Sequence, residues 1–251
     1  LDLTKEPIAQ SGIRFSFCGA APLAADLWQT FEETLSLPVY QGYGLSETTC
    51  WAAATPPDQP RRYKTVGKVL PGCEVVIDSD AIDAETDVFP VRADSENTEE
   101  STEGTGTKEV IGEVLIKGDI LMSGYYQRKK LTKSLYTPEG YFRTGDIGFL
   151  DKDGFLEIVG RIKEIIIRRG SNILPADIDP FLTLHDDISE CKTVGVADKA
   201  VGEAVMTAWV PSPSATKKPS NIVLRKQLLS HISASKIPDR LIPVGALPKT
   251  S

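Results

Sequence analysis

The 251-residue chain is long enough to bury a substantial core and to hold two domains. With 41% hydrophobic and 25% charged residues it has an ordinary globular composition, and no run of about 18 apolar residues is present to span a bilayer. The net charge of −7 is concentrated in residues 78–109, where eleven acidic side chains face Arg92 and Lys108; the rest carries +2 and lacks the basic stripe of a nucleic-acid binder.

The chain opens with LDLTKEPIAQSG, which has no apolar core behind a basic end and is not a secretory signal. It does not begin with Met, so it is expected to be a piece of a longer chain. The next stretch, IRFSFCGAAPL, reads as a short strand running into a Gly-Ala-Ala-Pro loop. Leu23, Leu27, Phe31 and Leu35 then recur at four-residue steps, predicting an amphipathic helix with Glu32 and Glu33 outside. LPVYQGYG is a second strand. Strand, helix, strand with glycine loops at the strand ends is α/β architecture, in which ligands bind beyond the carboxyl ends of strands.

From Val66 the texture becomes β: VGKVLPGCEVVI, GEVLIKG and GFLDKDGFLEIVG are apolar or alternating runs broken by Gly, Pro and Asp, with a hairpin turn at DKDG. The acidic segment between the first two, rich in Ser, Thr, Glu and Gly, reads as a flexible surface loop at about 78–109. After Gly160, KEIIIRRGSNILPADIDPFL gives a strand, a turn, a short strand and a helix start near Pro175. KTVGVADKAVGEAVMTAWVP gives two strands around a loop, and IVLRKQLLSHIS a helix. The domains so read are 1–65, part of a larger α/β domain; 66–160, a β-rich subdomain; and 161–251, a small mobile α+β domain.

Cys18, Cys50, Cys73 and Cys191 are scattered without a Cys-x-x-Cys pair, and His185 and His231 are far apart. That argues against zinc and for free thiols in a reducing, cytoplasmic setting. Both histidines fall in predicted helices and read as structural or exposed.

One stretch invites chemistry. In QGYGLSETT, residues 41–49, two glycines bracket Tyr43 and are followed by Ser46, Glu47 and Thr48. This is either a strand ending in a loop or a nucleotide site. In a nucleotide site the glycines allow close backbone approach, the tyrosine offers a flat face and the carboxylate holds Mg²⁺.

Six strings, in order, carry a resemblance: CGAAPL (18–23), YGLSET (43–48), GEVLIKGDILMSGYY (112–126), YFRTGD (141–146), GRIKEIIIRRGSNILPADID (160–179) and LPKTS (247–251). Together they resemble the adenylate-forming superfamily of acyl-CoA synthetases, luciferases and peptide-synthetase adenylation domains, over nearly the whole chain. The resemblance implies an incomplete copy of that fold, an α/β domain with a β-subdomain followed by a small mobile α+β domain. It implies ATP-dependent activation of a small carboxylic acid as an acyl-adenylate, then transfer to a thiol on CoA or on the phosphopantetheine arm of a carrier protein.

By the same resemblance, Gly19, Ala20 and Ala21 wall the adenine on one side, and Tyr43, with Gly44 beside it, packs on the other. Glu47 holds Mg²⁺, and Ser46, where most members carry threonine, reaches the α-phosphate. Asp146 grips the ribose hydroxyls and Arg161 the ribose or phosphate. Lys163 is the hinge, and Gly170 lets the pantetheine arm pass close to backbone. Arg168 and Arg169 either meet CoA phosphates or form a solvated hairpin tip. Trp51 either shortens an acyl pocket or packs in the core.

There are departures from the pattern. The family's phosphate loop and the substrate-binding half are not in this chain, and LPKTS stops before the Gly-Lys that usually follows. The expectation is that this piece alone adenylates poorly. The rival readings are an adenylation protein loading a carrier, and a nucleotide-binding scaffold that has lost its chemistry.

Overall fold

The structure, a computed structural model, describes residues 12–21, 23–82, 110–215 and 218–248. The acidic segment beyond Ile82 and the end of LPKTS lie outside the described residues. The chain divides into two compact units, the first formed by the residues up to Ile82 with Lys108–Val159 and the second by those from Gly160 onward.

In the first unit, β1 (Ser16–Cys18) pairs in parallel with β2 (Val39–Tyr43), and α1 (Ala25–Leu35) makes the crossover. A parallel pair requires such a connection, and a helix is its usual form. Two short antiparallel strands, β3 (Ala53–Ala54) and β4 (Lys68–Val69), complete this sheet. A second sheet runs in the order β5 (Cys73–Asp78), β6 (Gly112–Gly118), β7 (Phe142–Leu150), β8 (Leu156–Arg161). The segment after β6 carries the short helix α2 (Lys129–Ser134). Asp151 closes the β7–β8 turn: its N–H donates to the Phe155 carbonyl at 2.9 Å and its own carbonyl accepts the Gly154 N–H at 2.9 Å. Ala52, Ala53, Val66, Val114, Ile116 and Leu156 form the core of this unit, each no more than 8% exposed.

Helix α1 buries only part of the predicted stripe. Trp28 is fully buried and Leu35 nearly so, while Leu27 is 60% exposed. A four-residue step turns about 400° and so overshoots a full turn by about 40°, and a stripe drawn at strict fours drifts around the cylinder. Glu32 is not outside either. It accepts the Val39 N–H at 2.7 Å, Arg61 Nε at 3.1 Å and the Tyr63 hydroxyl at 3.1 Å, and so ties α1 to the start of β2 and to the loop at 61–63.

In the second unit, β9 (Ile166–Arg168) and β10 (Ser171–Ile173) form a tight hairpin. Strands β11 (Ile188–Asp198) and β12 (Gly202–Pro211) form a long antiparallel hairpin beside it, and β13 (Arg240–Pro243) adds to β12 in parallel. Helices α3 (Asp179–Thr183) and α4 (Asn221–Leu229) close over a core that includes Ile178, Leu182, Val205, Trp209, Leu224 and Leu228, each at most 1% exposed. Pro180 sits in the first turn of α3, where its missing N–H is no loss. His185 and His231 lie just past the ends of α3 and α4 rather than within them.

Candidate functional site

The sequence-predicted residues of the first unit gather where β2 ends. The Tyr43 hydroxyl donates to Asp146 Oδ2 at 2.6 Å, joining side chains 103 positions apart. Asp146, on β7, is 3% exposed. The chain then turns through a single 3-10 turn at Ser46–Thr48. Thr48 is fully buried and closes this turn with its hydroxyl, which accepts the Leu45 N–H at 2.8 Å and donates to the Leu45 carbonyl at 3.0 Å. Ser46 is exposed and Glu47 half-buried.

Glu47 is fixed on two sides by the segment that follows β6. Its carbonyl accepts the Met122 N–H at 2.7 Å, and its carboxylate accepts the Tyr125 hydroxyl. That hydrogen bond to the carboxylate, with a smaller contribution from burial, raises the Tyr125 phenol above its ordinary pKa. Thr49 adds a bond from its hydroxyl to the Ile120 carbonyl at 2.8 Å. Tyr125 is braced in turn by α2, since its N–H donates to Thr132 Oγ1 at 3.0 Å.

The glycines of QGYGLSETT have close neighbours within the protein. A Cβ on Gly42 would lie 2.7 Å from the Trp51 ring, and one on Gly44 would lie 1.7 Å from the Cys50 carbonyl oxygen. Thr49 and Cys50 carry positive φ, which folds the chain back so that Trp51 covers β2. Phe17 lies against Trp51 with ring centroids 5.0 Å apart. Gly19 also approaches β2 closely, its would-be Cβ 3.1 Å from the Gly42 carbonyl oxygen. Ala20, at φ +68°, turns the chain at the end of β1, and Gly19, Ala20 and Ala21 are all exposed.

Asp146 owes its place to a break in sheet register that sequence reasoning missed. Glu113 stands opposite Ile147 and Leu115 opposite Arg143, so Thr144, Gly145 and Asp146 occupy the span of Val114 alone. Extra residues in a strand lose their ladder partners, and unpaired backbone groups in a buried place are costly. Side chains satisfy them here. The Gly145 N–H donates to Glu113 Oε1 at 3.0 Å and the Asp146 N–H to Thr144 Oγ1 at 3.0 Å, while the Thr144 hydroxyl donates to the Val114 carbonyl at 2.6 Å. The other Glu113 oxygen accepts from Arg143 at 2.6 Å, and Arg143 also reaches Asp78 at 3.4 Å. The available signal was a lone carboxylate in the apolar run GEVLI, because a charge buried in a strand needs partners.

Arg161, Lys163 and Gly170 belong to the second unit. Arg161 ends β8 half-buried and precedes a 3-10 turn at Ile162–Glu164, on which Lys163 is exposed. Gly170, at φ +81°, forms the β9–β10 tip with open space where a Cβ would stand. Arg168 is neither a free cation nor part of a solvated tip. It donates to the carbonyls of Ile237 (2.9 Å) and Ser235 and pairs with Asp239 at 3.1 Å, clamping the turn at 234–236. Lys236 on that turn pairs with buried Asp177 at 3.2 Å. Arg169 takes φ +53° and is exposed.

Among the described residues no group of three or more His, Cys, Asp or Glu side chains could cage a metal. A single half-buried carboxylate such as Glu47 suits Mg²⁺, which keeps several waters and takes one or two carboxylates together with substrate phosphates.

Comparison with known proteins adds to this geometry. Residues 2–126 match the family model described as AMP-binding enzyme, and residues 177–251 match that of the AMP-binding enzyme C-terminal domain. The chain is 30% identical over 254 residues to peroxisomal OPC-8:0-CoA ligase 1 of Arabidopsis thaliana, covering 99% of this chain and 42% of that protein. It is 31% identical over 241 residues to oxalate–CoA ligase of the same plant, covering 95% and 42%. ATP-bound MatB from Rhodopseudomonas palustris superposes with a TM-score of 0.80 at 28% identity, covering 99% of this chain and 44% of that one. The chain thus spans about two fifths of the length of the curated relatives it matches.

Proposed function

Because the chain belongs to the AMP-binding family of adenylate-forming enzymes and carries part of their fold, we propose that it holds the adenine nucleotide in the ATP-dependent activation of a small carboxylic acid. In that reaction a carboxylate oxygen attacks the α-phosphorus of ATP, pyrophosphate leaves, and an acyl-adenylate results. A thiol sulfur then attacks the acyl carbonyl and loses its proton, and AMP departs with the electron pair. CoA is the proposed thiol, in keeping with the names of the relatives, which are CoA ligases.

The observation that carries this reading is the bond between Tyr43 and Asp146, which joins the end of β2 to the bulge of β7. We assign the Tyr43 ring to the adenine face, with the Gly19–Ala21 turn and Gly44 beside it. Asp146 is assigned to the ribose hydroxyls, and since the residue is 3% exposed, a nucleotide must open this corner to reach it. Ser46 is assigned to the α-phosphate and Glu47 to Mg²⁺, which when bound neutralises phosphate charge. Tyr125 holds the Glu47 carboxylate in one orientation. In the second unit Arg161 is assigned to the nucleotide, Lys163 to the hinge and Gly170 to the passage of the pantetheine arm. Catalysis of this kind rests on positioning and charge rather than on a protein nucleophile.

Titration calorimetry of AMP into the 251-residue chain tests the proposal. Wild type is expected to bind, and Asp146→Asn to weaken binding by about 10- to 100-fold, the worth of a hydrogen bond to a charged group. An absence of AMP binding, or equal affinity in the variant, refutes the assignment. In an assay with the acid and ATP, CoA and a phosphopantetheinylated carrier protein are compared as acceptors, and acceptance of the carrier alone overturns the choice of CoA.

A further inference from the structure

We propose that Glu113 is a positioning residue for the nucleotide's ribose, acting through the bulge that presents Asp146; the ribose part of this proposal rests on the role given to Asp146 above. Glu113 is 4% exposed, and both its oxygens are directed at one short stretch of β7. One takes the Gly145 N–H, the other the Arg143 guanidinium. These two residues flank Thr144, and Gly145 immediately precedes Asp146. Asp146 in turn accepts the Tyr43 hydroxyl.

The chain of cause runs from a buried carboxylate to the register of a strand, and from there to the direction of a second carboxylate. Side chains alternate across a strand, so a one-residue slip of β7 against β6 sends Asp146 to the opposite face of the sheet. Gly145, at φ +70°, cannot hold the bulge by itself, because glycine is equally at ease in other conformations. Glu113 restricts it by taking its N–H, and Thr144 completes the restraint by taking the N–H of Asp146.

The test compares AMP with 2′,3′-dideoxy-AMP, which lacks the hydroxyls assigned to Asp146. Wild type is expected to prefer AMP by about tenfold or more. Glu113→Met, similar in length but unable to accept these bonds, is expected to cut that preference to below about threefold while leaving dideoxy-AMP affinity within about twofold. Glu113→Gln, which keeps an acceptor for the Gly145 N–H, is expected to retain most of it. Melting temperatures are taken on the same samples. If Glu113→Met does not fold, Thr144→Ala, which removes the acceptor of the Asp146 N–H, is read in the same way.

An unchanged preference in a folded variant, or equal weakening of both nucleotides, overturns the proposal. If wild type does not distinguish the two nucleotides, the ribose role of Asp146 fails instead. Positioning is then read from the ¹³C carboxyl resonance of Asp146. A shift in Glu113→Met sustains the control of Asp146 by Glu113, and an unmoved resonance ends it.

Discussion

Gly44 and Gly145 each stand next to a candidate site residue, Tyr43 and Asp146, yet the structure uses them differently. At Gly44 a Cβ would lie 1.7 Å from the Cys50 carbonyl oxygen, a backbone atom that cannot move without unwinding the turn at Thr49 and Cys50. Gly44→Ala is therefore expected to cost about 2–3 kcal/mol, as overpacking does. At Gly145 nothing stands within 4 Å of the same position, and the cost is one of backbone angle, φ +70°. Gly145→Ala should cost about 1–2 kcal/mol, the penalty of a left-handed conformation. Thermal denaturation of the two variants should rank Gly44→Ala below Gly145→Ala, and the reverse order would mean that the turn behind Gly44 gives way. The sequence suggested close approach of a ligand at Gly42 and Gly44; their close neighbours within the protein are Trp51 and Cys50 of the same chain. That was not legible, because it depends on positive φ at Thr49 and Cys50, residue types that rarely adopt it. Glu32 and Arg168 were misread for a related reason: the side-chain partners of Glu32 lie 29 and 31 positions away and the partners of Arg168 about 70, and local pattern carries no trace of them.

At the level of elements, the strands of the β-rich region and the α4 helix were legible from alternation, apolar runs and spacing, since each is a local property. The β6–β7 bulge was not, because register is a relation between two strands and Thr-Gly-Asp has no pattern of its own. The start of α3 brings a titration into play. Asp179, its first residue, has a buried Oδ1 without a hydrogen-bond partner. Burial raises its pKa from 3.8 to about 6, against the opposing pull of hydrogen bonds from Thr193 and the charge of Lys192. Cys191, whose thiol donates to the Asp179 carbonyl at 3.3 Å, is pushed up to about 12 by the same burial and stays a neutral thiol. With the Asp179 carboxyl raised in the folded state, the fold binds more protons than the unfolded chain between about pH 4 and 6. Stability of the second unit should therefore fall as pH rises through that window and level off above it. Asp177, also raised by burial, adds in the same direction. Asp179→Asn is expected to remove most of the slope and, at pH 7, to be the more stable form by roughly 1–3 kcal/mol. Urea denaturation at pH 4.5, 5.5 and 7 measures this; a flat wild-type stability would show that the carboxylate is solvated, and one that rises would show that the fold favours its charged form.

At the scale of the molecule, the family and its incomplete fold were legible because the six strings are local and occur in order, which requires no knowledge of how strands pair. What the strings do not reveal is how stability is distributed. The two hydrophobic cores share no residue: one draws on positions 52–156, the other on positions 166–241. Each unit buries its own apolar side chains against its own strands, so each has the means to fold as a cooperative body. Leu224, fully buried on α4 against the second core, provides a way to separate them. Leu224→Ala should cost about 2–5 kcal/mol, the range for removing a buried leucine from a packed site, and that loss should fall on one transition. Calorimetry of wild type is expected to resolve two unfolding transitions, with Leu224→Ala lowering one and leaving the other in place. A single transition that moves as a whole would mean that the two cores unfold as one body.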